Sequence, residues 1–305
     1  MMDRDTLYVS WTMDCETIGE ECITGGPADW ALSERAMSGY VEALADRGHR
    51  ATLFLIPRLA EVQADVATDL AMAGADLGMH MHPQTTDFGH DRHLGELAAD
   101  EQREILRVGR DRVGAAIGAT PKSFRPGCFS ATDDTFPILA GLGFSQGSVS
   151  LPGRNRPEIG ATWVGAEPFA HQASRESRLS AGDLPFIEMP TAVDLRDINR
   201  PADEIADARH LRLERDDILQ LSEDLIRRHV ARQIELDWWL KSVVVMTHNT
   251  REYGDPAEPA RQALEAVADA IEAAASEAGL EVRPATLAEI ADAASEKTRA
   301  GSRGG

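Results

Sequence analysis

The sequence predicts a single α/β domain built as an irregular (β/α) barrel, with an open doubly wound sheet as the second choice. Strand-like segments and segments with helical apolar spacing alternate over most of the 305 residues. Repeated strand–helix units imply parallel strands with helices packed outside them. We find no internal repeat, no linker and no Gly-x-Gly-x-x-Gly pattern, so one domain is the simplest interpretation.

The first strand–helix unit spans the N-terminal 48 residues. Residues 7–13 are apolar enough for a buried strand, and a loop with Gly25-Gly26-Pro27 as its breaker follows. Ser33 is then expected to cap a helix that ends at Gly48. The apolar face of this helix repeats at helical spacing through Met37, Tyr40, Val41 and Leu44.

Two further units follow before residue 126. A second strand is predicted at residues 51–56, and a helix with apolar positions from residue 59 ends at Gly74. Residues 75–81 form the third predicted strand. A helix over residues 100–117 leads to a short fourth strand at residues 123–125.

The second half begins with a helix at residues 132–142 and an extended segment at residues 144–149. Residues 151–197 are rich in Pro and Gly and are expected to be irregular, with extended pieces at residues 161–164 and 185–189. The region up to residue 215 is expected to shape the substrate pocket. A long helix over residues 216–240 then precedes residues 242–247, the most apolar strand of the chain.

The C-terminal part is predicted to hold two helices. Pro259 opens the first, and Gly279 closes it. Thr286 and Glu289 have the spacing of a capping box for the second. We therefore expect one domain over residues 1–299 and a disordered tail over residues 300–305.

Composition and charge limit the partners and the compartment. The chain has 31 basic and 51 acidic residues, a formal charge of −20, so it repels phosphate backbones and no nucleic-acid partner is expected. No apolar run approaches the roughly 20 residues of a membrane span, and the N-terminus lacks the apolar core of a signal peptide. Cys15, Cys22 and Cys128 form neither a zinc spacing nor a disulfide framework. We therefore expect a cytoplasmic protein.

Polar side chains follow four of the predicted strands, where sites gather in parallel α/β folds. Asp14 and Glu16 end the first strand, and alternation puts them on one side, opposite Cys15. The two carboxylates could divide cation binding and proton transfer between them, or form only a solvated strand end or a helix cap. Cys15 has no neighbouring base and is not expected to be a nucleophile.

A histidine pair follows the third strand. His80 and His82 face the same way as residues i and i+2, and neutral imidazoles are good ligands for zinc and its neighbours. We therefore interpret them as a ligand pair. His90 and His93 lie in the polar loop beyond and are expected to be exposed to solvent.

Arg125 and His248 end the other two strands. A guanidinium at a strand end can pair with a catalytic carboxylate and lower its pKa, although a surface arginine before a turn is the alternative. A histidine at the end of a buried strand suits a general acid, and a core histidine bonded to backbone is the alternative.

In this order, the segments resemble the polysaccharide deacetylase (NodB-homology, carbohydrate esterase family 4-like) superfamily over about residues 7–293. The opening family motif, Thr-Phe-Asp-Asp, corresponds to Thr-Met-Asp-Cys-Glu here. The other matching segments are residues 74–84, 124–129, 135–144, 186–190 and 245–248. The His-Met-His-Pro sequence is similar to a branch called WalW-like.

The resemblance implies a distorted (β/α)7-type barrel and a hydrolase of non-peptide C–N bonds. Its substrate would be an amino sugar or a related small amide that loses an N-acyl group. Acetyl is the first candidate for this group. Asp14 would be the general base, Arg125 would orient it, and His248 would protonate the leaving amine. Glu16 and His80 would bind a divalent metal. Zinc is the first candidate, and cobalt, manganese and nickel are the alternatives. The expected partner is a small-molecule or carbohydrate substrate, and the oligomeric state is not predicted.

Two positions depart from the family pattern. Gln84 occupies the place of the usual second histidine ligand, and His82 is the expected substitute because it shares a strand face with His80. Glu16 replaces the usual aspartate and lies one position later. Two alternatives therefore stay open: a metal-independent cyclic amide or ureide hydrolase on the same fold, and a catalytically inactive relative that binds a sugar.

Overall fold

Strands and helices alternate as predicted in the computed structural model of the chain, which describes residues 5–17, 27, 29–84, 88–201 and 204–301. The strands are β1 (Thr6–Cys15), β2 (Ala51–Leu55), β3 (Asp76–Met81), β4 (Ser123–Pro126), β5 (Gln146–Gly147), β6 (Asn155–Arg156), β7 (Ala161–Thr162), β8 (His171–Gln172), β9 (Ile187–Glu188), β10 (Ser242–His248) and β11 (Glu281–Pro284). The helices are α1 (Ala31–Ala45), α2 (Pro57–Val62), α3 (Ala64–Met72), α4 (Ala99–Ile117), α5 (Thr135–Gly141), α6 (Ile218–Glu235), α7 (Pro259–Glu277) and α8 (Leu287–Gly301).

A curved sheet of parallel strands forms the centre of the fold. Its order is β10-β1-β2-β3-β4-β5-β9, with every neighbouring pair parallel, and β8 adds an antiparallel strand beside β9. The strands follow one another without the reversal of order that defines a doubly wound sheet. The barrel prediction is therefore confirmed, and the open sheet is not found.

Irregular backbone connects the two ends of this sheet. The amide of Met189, just after β9, donates to the carbonyl of Gly147 on β5 at 2.8 Å. Three residues later, the amide of Ala192 donates to the carbonyl of Val244 on β10 at 3.0 Å. Because the same short segment contacts both edges, the barrel is closed by single hydrogen bonds rather than by a regular ladder.

The strands next to the closure are buried on both faces. All ten residues of β1 are buried, as are the first six of β10. Helices on the outside and side chains in the barrel interior cover them, which is the usual environment of parallel strands. Only the strand ends therefore offer polar side chains a place to meet.

Several boundaries differ from the predictions. The predicted second helix is two helices, because Pro57 opens α2 with its preset φ and Gln63, with φ of −114°, separates α2 from α3. The long helix ends at Glu235, five residues early, and Asp237 follows with φ of 47°. Strand β11 was not predicted; it pairs with residues 6–9 of β1 on the edge that β2 occupies farther along.

The ends of two helices also bear on the predictions. Helix α1 begins at Ala31, so Ser33 lies inside it and does not cap it. The capping box of α8 is confirmed, since the Thr286 amide donates to Glu289 Oε2 at 2.8 Å and the Glu289 amide to Thr286 Oγ1 at 3.3 Å. Helix α8 continues to Gly301, and the rest of the predicted tail, like Cys22, lies outside the described residues. The domain boundary at residue 299 stays a prediction.

None of the helices in the described ranges is both long enough and apolar enough to cross a membrane.

Candidate active site

The four predicted strand ends meet at one rim of the barrel. Asp14 on β1 is the register partner of His248 on β10, and His80 on β3 is the register partner of Arg125 on β4. Since β10, β1, β2, β3 and β4 are consecutive and parallel, their carboxyl ends all face the same side. The structure thus brings together all six residues expected to form the site, including Glu16 and His82.

Asp14 is buried against a guanidinium. Its Oδ1 accepts a hydrogen bond from Arg125 Nη1 at 2.7 Å, while its Oδ2 lies 4.0 Å from His80 Nε2 and 3.9 Å from His248 Nε2. Burial alone would raise the pKa of Asp14, but Arg125, followed by the two imidazoles, outweighs burial and holds the pKa below its usual value. Asp14 is therefore an ionised carboxylate with one oxygen directed into the site.

Arg125 is fixed as firmly as its partner. It is completely buried, its Nε donates to the carbonyl of Ser148 at 3.3 Å, and its guanidinium lies 4.6 Å from the centre of the Phe54 ring. The surface-arginine alternative is therefore excluded. A planar group held on two sides fixes the orientation of the Asp14 carboxylate.

Glu16 brings one carboxylate oxygen to two imidazoles. Its Oε1 lies 3.0 Å from His80 Nε2 and 2.9 Å from His82 Nε2. Burial would raise the pKa of Glu16, but His82 and then His80 outweigh it and hold the pKa well below its ordinary range. The three ligand atoms form one of two groups in the described part of the chain that could hold a metal; the other is Asp14, Glu16 and His248.

The hydrogen bonds of His80 determine where its proton lies. Its Nδ1 is 2.9 Å from the backbone carbonyl of Arg125, which can only accept, so Nδ1 carries hydrogen. In the neutral ring, Nε2 is then a lone pair that faces the carboxylate oxygen of Glu16. Two lone pairs 3.0 Å apart need a cation or a proton between them.

Gln84 lies behind His82 rather than beside the ligand atoms. Its Nε2 is 3.4 Å from His82 Nδ1 and 3.0 Å from His93 Nδ1, whereas its buried Oε1 has no hydrogen-bond partner within the described ranges. Rotating the amide by 180° would present the oxygen to both ring nitrogens and leave His82 Nε2 unprotonated. His90 and His93 are partly buried, so the expectation of solvent exposure was wrong for both.

His248 is backed by a carboxylate that the sequence did not reveal. Glu214 Oε1 lies 3.2 Å from His248 Nδ1 and also accepts from the backbone amide of His248 and, at 2.8 Å, from Thr247 Oγ1. Burial would lower the pKa of His248, but Glu214 outweighs it and raises the pKa. The same contacts hold the pKa of Glu214 at about 2, although its burial acts in the other direction. His248 is thus paired with a carboxylate through Nδ1, and the alternative of a core histidine bonded to backbone is not observed.

The backbone of Glu16 is clamped by Asn249, the residue after His248. Asn249 Oδ1 accepts from the Glu16 amide at 3.0 Å, and its Nδ2 donates to the Glu16 carbonyl at 3.0 Å and to Ser33 Oγ at 2.8 Å. Ser33 in turn donates to Gln63 Oε1 at 2.7 Å. Ser33 therefore supports the site from inside α1 instead of capping the helix.

Comparisons with known proteins agree with this geometry. A family model described as polysaccharide deacetylase matches residues 28–147. A provisionally assigned polysaccharide deacetylase from Mycobacterium smegmatis shares 16% identity and a TM-score of 0.59, covering 97% of this chain and 92% of its own. A probable polysaccharide deacetylase from Pseudomonas aeruginosa PAO1 shares 13% identity with this chain and a TM-score of 0.53. The match covers 95% of this chain and 91% of that one.

The structure of PuuE allantoinase is also similar, with 12% identity and a TM-score of 0.54, covering 95% of this chain and 90% of that one. At such identities the likeness shows the fold alone. A search of the curated proteins finds no match. The family model matches residues 28–147, fewer than half of the chain, and the solved structures share the barrel, so the comparisons show a segment similar to polysaccharide deacetylases within a fold of the same type.

Proposed function

We propose that the chain is a metal-dependent hydrolase that removes an N-acyl group, acetyl in the first place, from an amino sugar or a related small amide. One observation carries the proposal: Glu16 Oε1 lies within 3.0 Å of Nε2 of both His80 and His82. A base candidate and an acid candidate flank this group. Asp14 Oδ2 and His248 Nε2 are 3.9 Å apart, close enough to serve one small amide.

The donor set fits a divalent cation. Two imidazole nitrogens and one carboxylate oxygen are typical ligands of zinc, and cobalt, manganese and nickel accept the same donors. The Nδ1 contact of His80 directs its Nε2 toward the site, where the lone pair of the neutral ring could bind the ion. An ion held by Glu16, His80 and His82 would supply Lewis acidity, polarising the acyl carbonyl and lowering the pKa of water. Gln84 would then orient His82 from behind.

The protein groups divide the proton transfers. Asp14 accepts the proton of the water that attacks the carbonyl carbon, and Arg125 keeps Asp14 ionised and oriented for this step. His248, whose pKa Glu214 raises, donates a proton to the amide nitrogen as the C–N bond breaks. A carboxylic acid and an amine leave. Each proton-transfer group contributes on the order of 10²–10⁴ to the rate.

A metal-free cyclic amide or ureide hydrolase is the second candidate. Distances of 2.9 and 3.0 Å are those of ordinary hydrogen bonds, so protonated His80 and His82 could pair with Glu16 without a metal. An inactive sugar-binding relative is less well supported, because the ion pairs that poise Asp14 and His248 are in place.

Elemental analysis and turnover distinguish these candidates. Protein purified without added metal is assayed for metal content and for hydrolysis of N-acetylated amino sugars and cyclic ureides, before and after chelation and metal return. We expect about one ion per chain and amide hydrolysis that stops on chelation and returns with the ion. Activity that chelators leave unchanged would support the metal-free candidate, and no hydrolysis of either class would support the inactive one.

The cytoplasmic location and the WalW-like branch stay predictions. The carbohydrate or small-molecule substrate is part of the proposal, and no oligomeric state is proposed.

A further inference from the structure

A polar cavity of about 530 Å³ opens behind His248, on the side of its Nδ1 atom. Glu214 is part of its wall and contacts His248 with Oε1, and Thr250 lies in the wall two residues beyond His248. Four arginines, three aspartates and His210 complete the lining. A group bound in this cavity therefore lies beside Glu214, the carboxylate that contacts the proposed proton donor.

Most acidic groups of the wall already have partners. Asp207 accepts from Arg154 Nε at 2.8 Å, and Asp217 accepts from Arg215 Nε at 2.8 Å. Glu214 accepts from His248 and Thr247. Asp216, on the exposed rim, is the acidic residue of the wall without an ionic partner in the described ranges.

The arginines, in contrast, keep unused donors. Arg251 forms no ion pair with any described residue, although it lines the cavity. Arg212 approaches Glu214 with Nε at 3.4 Å, and its two terminal nitrogens form no hydrogen bond with a described residue. Arg154 and Arg215 each leave one terminal nitrogen without a described partner. Unused guanidinium donors match the oxygens of a carboxylate or a phosphate.

His210 adds a fixed acceptor to these donors. It is only 4% exposed, and its Nδ1 donates to the carbonyl of Ala208 at 2.8 Å, so Nε2 is a lone pair. That Nε2 has no hydrogen-bond partner among the described residues. Burial, with a contribution from Arg154, lowers the pKa of His210 to about 3, so the ring stays neutral. A buried, neutral acceptor suits a hydroxyl group near the anion.

We propose that the substrate carries an anionic group, a carboxylate or a phosphate, besides its amide, and that this group binds in the arginine-lined cavity beside His248. The ligand is thus an N-acylated amino sugar, or another small amide, that also carries an anionic group and a free hydroxyl. This inference rests on the proposed amide hydrolysis for the identity of the reacting group, but the binding of the anion can be measured separately.

Binding of reaction products tests the inference without turnover. Three products are titrated calorimetrically into metal-loaded protein. They are glucosamine, glucosamine 6-phosphate, and glucosamine in which C6 is a carboxylate. We expect an anionic product to bind at least about tenfold more tightly than the neutral one, as one or more charge-assisted hydrogen bonds allow. The ratio should fall as salt rises from about 0.05 to about 0.5 M. The phosphate and carboxylate arms tell the two anions apart.

Variants locate the effect. Arg251→Gln should reduce the anionic-over-neutral ratio by roughly threefold to tenfold. Arg232→Gln is the matched control: it makes the same charge change on α6, at a side chain that pairs with Glu235 outside the cavity, and should leave the ratio unchanged. Equal binding of the three products, or a ratio that Arg251→Gln does not lower, would overturn the inference. Turnover of the acetylated forms is scored separately, so an anion preference without hydrolysis would refute the proposed function and not this site.

Discussion

Replacing Glu214 by glutamine removes the negative charge behind His248 while keeping the size of the side chain. Oε1 of Glu214 accepts from His248 Nδ1 at 3.2 Å, from the His248 backbone amide and from Thr247 Oγ1. Glutamine can still accept through its carbonyl oxygen, so the perturbation is mainly the loss of charge. Both side chains are well shielded, with exposures of 6% for Glu214 and 16% for His248.

The size of the effect follows from the hydrogen bond. A hydrogen bond to a charged group contributes about 1.5–3 kcal/mol and a neutral one about 1 kcal/mol. The protonated form of His248 therefore loses about 0.5–2 kcal/mol, a factor of about 2 to 30 in its population above the pKa. Since Glu214 raises the pKa of His248, the proton donor is lost as the pH rises through that pKa. Removing the charge moves this loss to lower pH.

The assay is kcat as a function of pH with saturating metal and substrate. For Glu214→Gln we expect the alkaline limb to move to lower pH, with kcat reduced about 2- to 30-fold on that side and less on the acidic side. Glu235→Gln, on an exposed residue at the end of α6, makes the same chemical change away from the site and should not alter the profile. A drop of equal size at every pH, or an alkaline limb that stays in place, would refute the reasoning.

Four further outcomes are expected. Asp14→Asn should lower kcat by about 10²–10⁴ with metal content unchanged by elemental analysis, and loss of the metal would contradict its role as base. Arg125→Met leaves the Asp14 charge buried alone and should cost about 3–5 kcal/mol in urea unfolding; a change below about 1 kcal/mol would show that the pair is not strongly coupled. Gln84→Ala should weaken zinc binding by about 10–100-fold in chelator competition, whereas His82→Ala should nearly abolish it; the reverse order would make Gln84 the ligand. Because the pKa of Glu214 is about 2, against an ordinary 4.5, its stabilisation is complete above pH 4.5 and falls by about 3 kcal/mol toward pH 2; unfolding that is equally acid-sensitive in Glu214→Gln would contradict this.

The sequence was informative where the site depends on strand geometry. Alternation along β1 and β3 places Asp14 beside Glu16 and His80 beside His82, and parallel strands present their ends on one rim. The pairing of side chains along each strand requires only local periodicity, and the shared rim requires only a correct fold class. The convergence of the six predicted residues therefore follows from strand ends alone, although their roles stay proposals.

Contacts made by irregular backbone could not be predicted. Glu214 precedes His248 by 34 residues and lies in a segment without regular structure, so no spacing connects the two. The available signal was the alternation of buried Leu211 and Leu213 with Arg212 and Glu214, which indicates an extended stretch. The role of Ser33 was hidden for the same reason, since its partner Asn249 is 216 residues away.

The low pKa of the proposed base itself favours metal chemistry. Arg125 keeps the pKa of Asp14 below 3.8, whereas bulk water has a pKa of about 15.7. Deprotonation of bulk water by Asp14 would therefore be uphill by at least about 12 pKa units, or about 16 kcal/mol. A divalent cation can lower the pKa of water from about 15.7 to about 7, which reduces the gap by about 9 units, or about 12 kcal/mol. A carboxylate clamped by an arginine would therefore be a far more effective base beside such a cation, and Glu16, His80 and His82 are the residues that would hold it.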